Sequence, residues 1–294
     1  TIYEVPILMQ NEKLDDVVLK KLNLNNIQLS KLDNWNAFVK KIKNPLNEVS
    51  VGLIGKYVEL QDSYKSILEA FIHAGAVNEV EIEVVSIHSE HISNKNHEIL
   101  LDGLHGLLVA PGFGERGIEG KIKSVEYVRK NKIPFFGICL GMQMAVIEYS
   151  RNVLGLDSAN STEMTNDTKY PVIDLMESQK NIKSKGGTMR LGSWKCLLTK
   201  NSLVSDIYGK SNINERHRHR FEFNNKFSKI IFSKTFKASG INPDTGLIEI
   251  IELKGHPWFV GVQFHPEYKS TVSEPHPLFV SFVSAALNYS KLKL

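Results

Sequence analysis

Among 294 residues there are two cysteines, Cys139 and Cys196. That is too few for a disulfide framework, and it points to a reducing compartment in which a thiol can serve chemistry. The cytoplasm is the expected location. No apolar run reaches the roughly 18 residues that a membrane span needs. The opening Thr1-Ile2-Tyr3-Glu4-Val5-Pro6 has neither the basic nor the apolar region of a secretory signal. A membrane is therefore not an expected partner. Charge of one sign is also scarce: 36 basic against 32 acidic residues leave +4, scattered except at Arg216 to Arg220. A duplex-binding domain shows a clustered basic stripe, so nucleic acid is not expected either. Internal repeats and low-complexity tracts are absent. The sequence does not begin with Met, and the expectation is of a piece of a longer protein.

What is present is 42% hydrophobic content, ample for the core of one large domain or two small ones. Residues 1–47 carry helix-compatible apolar spacing through Leu14, Val17, Val18, Leu19 and Leu22, and again through Trp35, Phe38, Val39 and Ile42. They read as helices of a linker closed by Asn44-Pro45. The pattern then changes. A strand at 49–55, a helix at 63–74 and a strand at 81–87 are followed by a strand at 106–110 and a Gly-rich loop at 111–120. A helix at 121–131, a strand at 134–138 and a helix at 141–151 continue the alternation. This predicts an α/β fold, a doubly wound, mostly parallel sheet flanked by helices, with chemistry at the carboxyl ends of its strands. Shorter strands at 192–198, 220–224, 247–253 and 259–264 are expected partly to extend the sheet and partly to form a smaller antiparallel β layer. A closing helix is expected at 278–289.

The sharpest local signal is Gly137-Ile138-Cys139-Leu140-Gly141. A nucleophile with Gly two residues to either side, after an apolar strand and before a helix, has the form of a nucleophile elbow. There the Cys139 sulfur would lie at a helix N-terminus, which favours the thiolate. The plainer reading, a buried small hydrophobe, fits Cys196 better. Gln263-Phe264-His265-Pro266-Glu267 supplies a base at a strand end. His265 would reach Cys139 if the two strands are neighbours, with Glu267 orienting the imidazole. Pro111-Gly112-Phe113-Gly114 follows another strand, and the N–H groups of Gly112 and Leu140 form a candidate oxyanion hole. Taken alone, that loop is an ordinary βα turn.

In this order and spacing, the elbow, the Gly loop and His-Pro-Glu resemble the class I glutamine amidotransferases. Longer strings resemble the glutaminase half of the CTP synthase family: 55–60, 114–121, 137–143, 160–163, 186–192, 215–220 and 264–270, spread from about residue 50 to 290. The resemblance implies that residues 1–47 are the end of a synthetase domain and a helical linker, and that residues 48–294 are the amidotransferase domain. It implies Cys139 as nucleophile, His265 as base and Glu267 as orienter. Glutamine would be held by Gly112, Leu140, Gly141, Met142, Gln143, Glu163 and Arg220. A zwitterionic amino acid needs an anion for its ammonium and a cation for its carboxylate, which Glu163 and Arg220 would supply.

Alternation along a strand would turn one face of Arg216 to Arg220 to the glutamine carboxylate and the other to solvent or a partner domain. Arg116, Gly117 and Glu119 would belong to a lid on which GTP acts as allosteric activator. No metal or cofactor is implied for this domain. ATP and Mg2+ would belong to the synthetase domain, which aminates UTP, in a full-length homotetramer. The family string Val-Pro-Gly-Gly-Phe-Gly is here Val109-Ala110-Pro111-Gly112-Phe113-Gly114. Pro111 has no N–H to donate; with Gly112 as the oxyanion donor function survives, whereas with the preceding residue as donor it would be weakened. The stretch 180–185 reads as a shortened surface loop. Two alternatives stand: an amidotransferase serving GMP or anthranilate synthesis, and a module used mainly for interaction or filament formation.

Overall fold

The computed structural model describes residues 1–24, 31–165, 167–176 and 189–293. The expected surface loop at 180–185, and the start of the string 186–192, lie outside them. Short helices α1 (Val5–Asn11), α2 (Leu14–Lys21) and α3 (Asp33–Lys43) come first. The alternation then follows: β1 (Asn47–Gly55), α4 (Lys65–Asn78), β2 (Val80–His88), α5 (His97–Leu101), β3 (Gly106–Val109), α6 (Ile118–Asn131), β4 (Phe135–Ile138) and α7 (Leu140–Asn152). The second half holds β5 (Ala159–Ser161), β6 (Tyr170–Leu175), β7 (Arg190–Leu198), α8 (Leu203–Tyr208), β8 (Asn212–His219) and β9 (Phe221–Phe223). It ends with α9 (Ser228–Ile231), β10 (Phe236–Ile241), β11 (Ile248–Leu253), β12 (Phe259–Val262) and α10 (Pro277–Lys293).

Among the described residues, nine strands form one sheet in the order β2-β1-β3-β4-β12-β11-β10-β7-β8. The five from β2 to β12 are parallel and the four beyond are antiparallel. A small sheet, β5-β6-β9, lies apart from it. Apolar side chains cover both faces of the large sheet, as continuous hydrophobic strands require. On one face Phe71 of α4, Phe136 of β4 and Phe279 of α10 meet edge to face, 5.2–5.4 Å between centroids. On the other, α7 is buried along 140–150, packed against β4 and β12 on one side and β5, β6 and β9 on the other. A helix closed in on all sides has no polar face to show, which is why its sequence lacks amphipathic periodicity. The N-terminal helices are fastened to α4 by a separate cluster of Tyr3, Phe38, Val39 and Ala76.

The expected strand 220–224 is the short β9, and a further strand, β8, precedes it. β8 stays in the large sheet while β9 joins the small one, and the chain changes sheet at Arg220. Burial alternates as far as His219, but largely with Glu and His inward, so apolar pattern alone does not reveal the bend.

Gly137 and Gly141 are required by proximity rather than by dihedral angle. A Cβ on Gly141 would stand 2.2 Å from the Val109 carbonyl oxygen, and one on Gly137 2.7 Å from the Gly141 backbone. Gly141→Ala is therefore expected to push α7 off β3. Thermal unfolding should show a loss of about 1–3 kcal/mol, and an unchanged Tm would disprove the close approach.

Candidate active site

β4 and β12 are neighbouring parallel strands, with Ile138 opposite Val262. The chain leaves both at the same end. Cys139 follows β4 directly, and its N–H donates to the Val262 carbonyl at 2.7 Å. It turns into α7 with φ 52° and ψ −102°, a conformation that a side chain enters only under strain of roughly 1–3 kcal/mol. His265 lies just past β12, its N–H held by the Arg216 carbonyl at 2.7 Å. Its Nδ1 donates to Glu267 Oε1 at 2.8 Å, and its ring stacks on Tyr268. That bond fixes the tautomer and leaves Nε2, buried and without a hydrogen-bond partner among the described residues, for Cys139. Burial alone would lower the His265 pKa. Negative charge on the nearby Cys139 sulfur, then the hydrogen bond to Glu267 and its charge, reverse this and hold it well above its ordinary value. An imidazolium beside a thiolate is the pair that attacks an amide and protonates the departing amine.

Two residues absent from the expected set complete the environment of the sulfur. Gln263 is buried, and its Nε2 donates to Cys139 Sγ at 3.7 Å. Gln143 Nε2 donates both to Gln263 Oε1 at 3.2 Å and to the Phe221 carbonyl at 2.9 Å. With both amide hydrogens of Gln143 spent inside the protein, only its oxygen is left for a ligand. Lys121 is the second, a wholly buried lysine whose Nζ donates to the Ala110 carbonyl at 2.9 Å. Its signal was a basic residue among Ile118, Ile122, Val125 and Val128, the apolar face of α6. Gln263 left no comparable trace, since a glutamine at a strand end is ordinary.

The Gly loop lies across the mouth of the elbow. A Cβ on Gly112 would stand 3.6 Å from the Leu140 side chain, and neither the Gly112 nor the Leu140 N–H donates a hydrogen bond among the described residues. Glu163 Oε1 accepts from the Gly114 N–H at 2.8 Å, and burial raises its pKa. Lys56 Nζ donates to the Phe113 carbonyl and, at 3.4 Å, to that of Gly114. Gly141 and Met142 are buried in helix packing, so only their backbone can meet a ligand.

The residues expected of a lid are not all gathered at this mouth. Arg116 pairs with Glu90 at 3.5 Å and lies over the Tyr57 ring. Gly117, at φ 69°, presses against Ser89. Glu119 accepts from Arg151 at 2.9 Å, at the opposite end of α7 from Cys139. A 13-residue helix separates those ends by roughly 18 Å, so Glu119 and the nucleophile do not share a site. In β8 the alternation is present with its faces assigned differently: Arg216 and Arg218 are exposed, while His217 and His219 are buried. Arg220 sits at the bend between β8 and β9, half-buried, beside the carbonyl that Gln143 engages.

Behind the triad lies a buried polar layer. His217 Nδ1 donates to His219 Nε2 at 3.0 Å, His219 Nδ1 donates to the Phe221 carbonyl, and Arg190 Nη2 donates to Glu249 Oε1 at 2.7 Å. Burial, then neighbouring charges, lowers the His219 pKa to about 3. Burial also raises that of Glu222 to about 8, against the opposing charge of Arg190. Cys196 is buried with its pKa raised by desolvation, an unreactive thiol.

The chain is similar to known proteins. The family described as "Glutamine amidotransferase class-I" matches residues 59–285. A CTP synthase of Flavobacterium johnsoniae is 64% identical over 291 residues, covering 99% of this chain and 54% of its own length. One from Chlorobaculum tepidum is 53% identical over 296 residues, covering 100% and 52%. The chain thus spans about half the length of these curated relatives. The solved glutaminase domain of Trypanosoma brucei CTPS, with bound acivicin, superposes with a TM-score of 0.77 at 34% identity, over 82% of this chain and 94% of that one. A Thermoplasma acidophilum structure described as part of a GMP synthase, at 16% identity and TM-score 0.53 over 83% of this chain and 97% of that one, shares the fold.

Two titrations test the electrostatics. In a 13C-histidine NMR series the His265 midpoint should lie well above 6.5 and drop in Cys139→Ala, since the thiolate is the largest upward influence. An unmoved midpoint would refute that coupling. The stabilisation tied to this raised pKa is complete below about pH 6.5, the unfolded value, and fades as pH climbs through the folded one. Glu222 acts in the opposite sense: a carboxyl raised to about 8 costs stability as pH rises from 4.5 toward 8. Glu222→Gln should flatten that decline in Tm between pH 5 and 8, and an equal slope in both proteins would contradict it.

Proposed function

The chain belongs to the class I glutamine amidotransferase family, as a glutaminase domain of the CTP synthase type, and on that premise we propose that it hydrolyses L-glutamine through a thioester on Cys139. The observation that carries this reading is the strained Cys139 set beside the His265–Glu267 pair by adjacent parallel strands. The thiolate attacks the side-chain amide carbon. The oxygen gains charge and is met by the N–H groups of Gly112 and Leu140. The imidazolium of His265 passes its proton to the nitrogen as the C–N bond breaks, and ammonia leaves. Neutral His265 then takes a proton from water, whose oxygen attacks the thioester carbon. Glutamate departs and the thiolate is restored.

In this reading Glu163 meets the ammonium of glutamine and Arg220 its carboxylate. Leu140 to Gln143 line the amide end, where the free oxygen of Gln143 accepts from the substrate NH2. The length of the relatives supports a partner synthetase domain that uses the ammonia, with ATP and Mg2+, to convert UTP to CTP. GTP as activator and a homotetrameric full-length enzyme belong to the same proposal. No helix among the described residues is long and apolar enough to cross a membrane.

Ammonia release from glutamine by the purified chain, with and without GTP, tests the reading. Cys139→Ala should abolish it, and Glu267→Gln should lower kcat roughly 10²-fold or more by freeing the imidazole. Hydrolysis that survives in Cys139→Ala would rule out the thioester route.

A further inference from the structure

Lys121 occupies a place on α6 where the spacing of Ile118, Ile122, Val125 and Val128 calls for an aliphatic side chain, and it is wholly buried. The catalytic scheme does not use it. A buried amine must find acceptors, and this one finds the Ala110 carbonyl at 2.9 Å. Its Nζ also stands beside Gly112, 3.8 Å from where a Cβ on that residue would be. The Ala110 carbonyl belongs to the peptide plane joining Ala110 to Pro111, at the exit of β3, where the Ala110 N–H is held by Ile54.

These bonds have a geometric consequence for the next residue. The plane before Pro111 is pinned, and the pyrrolidine ring fixes φ of Pro111 near −65°. One soft torsion, ψ of Pro111, then decides where the Gly112 N–H points. Downstream, Lys56 holds the Phe113 and Gly114 carbonyls and Glu163 holds the Gly114 N–H. Gly112 is thus suspended between two lysine clamps with its own N–H left over.

We propose that Lys121 is a positioning residue of the oxyanion loop, which aims the Gly112 N–H by anchoring the peptide plane ahead of Pro111. The proposal rests on the reading of Gly112 as oxyanion donor. It also gives Pro111 a use: the loop gives up one donor and one rotation together. Burial, then the charge of Lys56, lowers the Lys121 pKa to about 7, while a Cys139 thiolate raises it. Ammonium and free amine both carry an N–H for Ala110, so the clamp holds in either state.

Lys121→Met keeps the packing and removes the donor. A donor needed only as charge develops affects turnover rather than substrate capture, so kcat for glutamine hydrolysis should fall at least about 10-fold while KM stays within about 3-fold. Alkylation of Cys139 by iodoacetamide needs the nucleophile but builds no oxyanion, and well above pH 7, where the Lys121 amine is uncharged, its rate should change by less than about 3-fold. Pro111→Gly, a loop change independent of the buried amine, should show the same kcat-only pattern. The two together should fall below the product of the single losses. A Lys121→Met kcat within about 2-fold of the parent, or equal losses in kcat and alkylation, overturns the proposal. If Cys139→Ala loses hydrolysis while Lys121→Met keeps it, this proposal alone falls. If Cys139→Ala keeps hydrolysis, the catalytic reading falls and takes this one with it.

Discussion

The parallel pairing of β4 with β12 is the constraint on which everything else depends. The strands are far apart in sequence and adjacent in the sheet, and they release their chains at one edge. One release turns into α7 and presents a thiol; the other runs through Gln263 to His265 and Glu267. The Cys139 N–H to Val262 carbonyl bond crosses the pair at the exit point, so the register that builds the core also sets nucleophile against base. A one-residue slip would reverse every side chain of the strand and separate the two groups.

Much of this was legible beforehand because it was written locally. The elbow needs its glycines within four residues, and His-Pro-Glu keeps base and orienter two apart. The strand–helix alternation needs only apolar runs and turns. What was not legible is carried by contacts between distant segments. The roles of Gln263 and Gln143 follow from strand exits and a bend that meet only in three dimensions, and Glu163 reaches the Gly loop across 49 residues of chain. Glu119, expected in the lid by resemblance, is carried by α6 toward Arg151, a placement that the loop's sequence does not reveal. Arg216 to Arg220 showed their alternation in the sequence, but both residue types are polar, so the buried histidine face did not stand out as a core face.

The buried polar layer behind the triad balances two demands. Acceptors and donors there outnumber their bonds: Arg190 Nε and Nη1, Glu249 Oε2, Glu222 Oε2 and His217 Nε2 have no hydrogen-bond partner among the described residues. Desolvation answers by removing charge, raising Glu222 and lowering His217 and His219. With both histidines of the layer held neutral and Arg190 paired with Glu249, few charges behind the triad compete with Cys139 and Glu267 for the imidazolium of His265.

The backbone of Cys139 sets stability and catalysis at odds within a single residue. Six non-glycine residues among those described have positive φ, and the other five are Lys, Asn or Glu near an ordinary left-handed conformation or in turns. Cys139 alone pairs a positive φ with ψ −102° at the start of a buried helix. Drift under selection for folding alone would favour glycine there, since glycine takes such angles freely. A side chain at this position therefore records selection on turnover, and a lineage that abandoned the chemistry would be expected to lose this residue early.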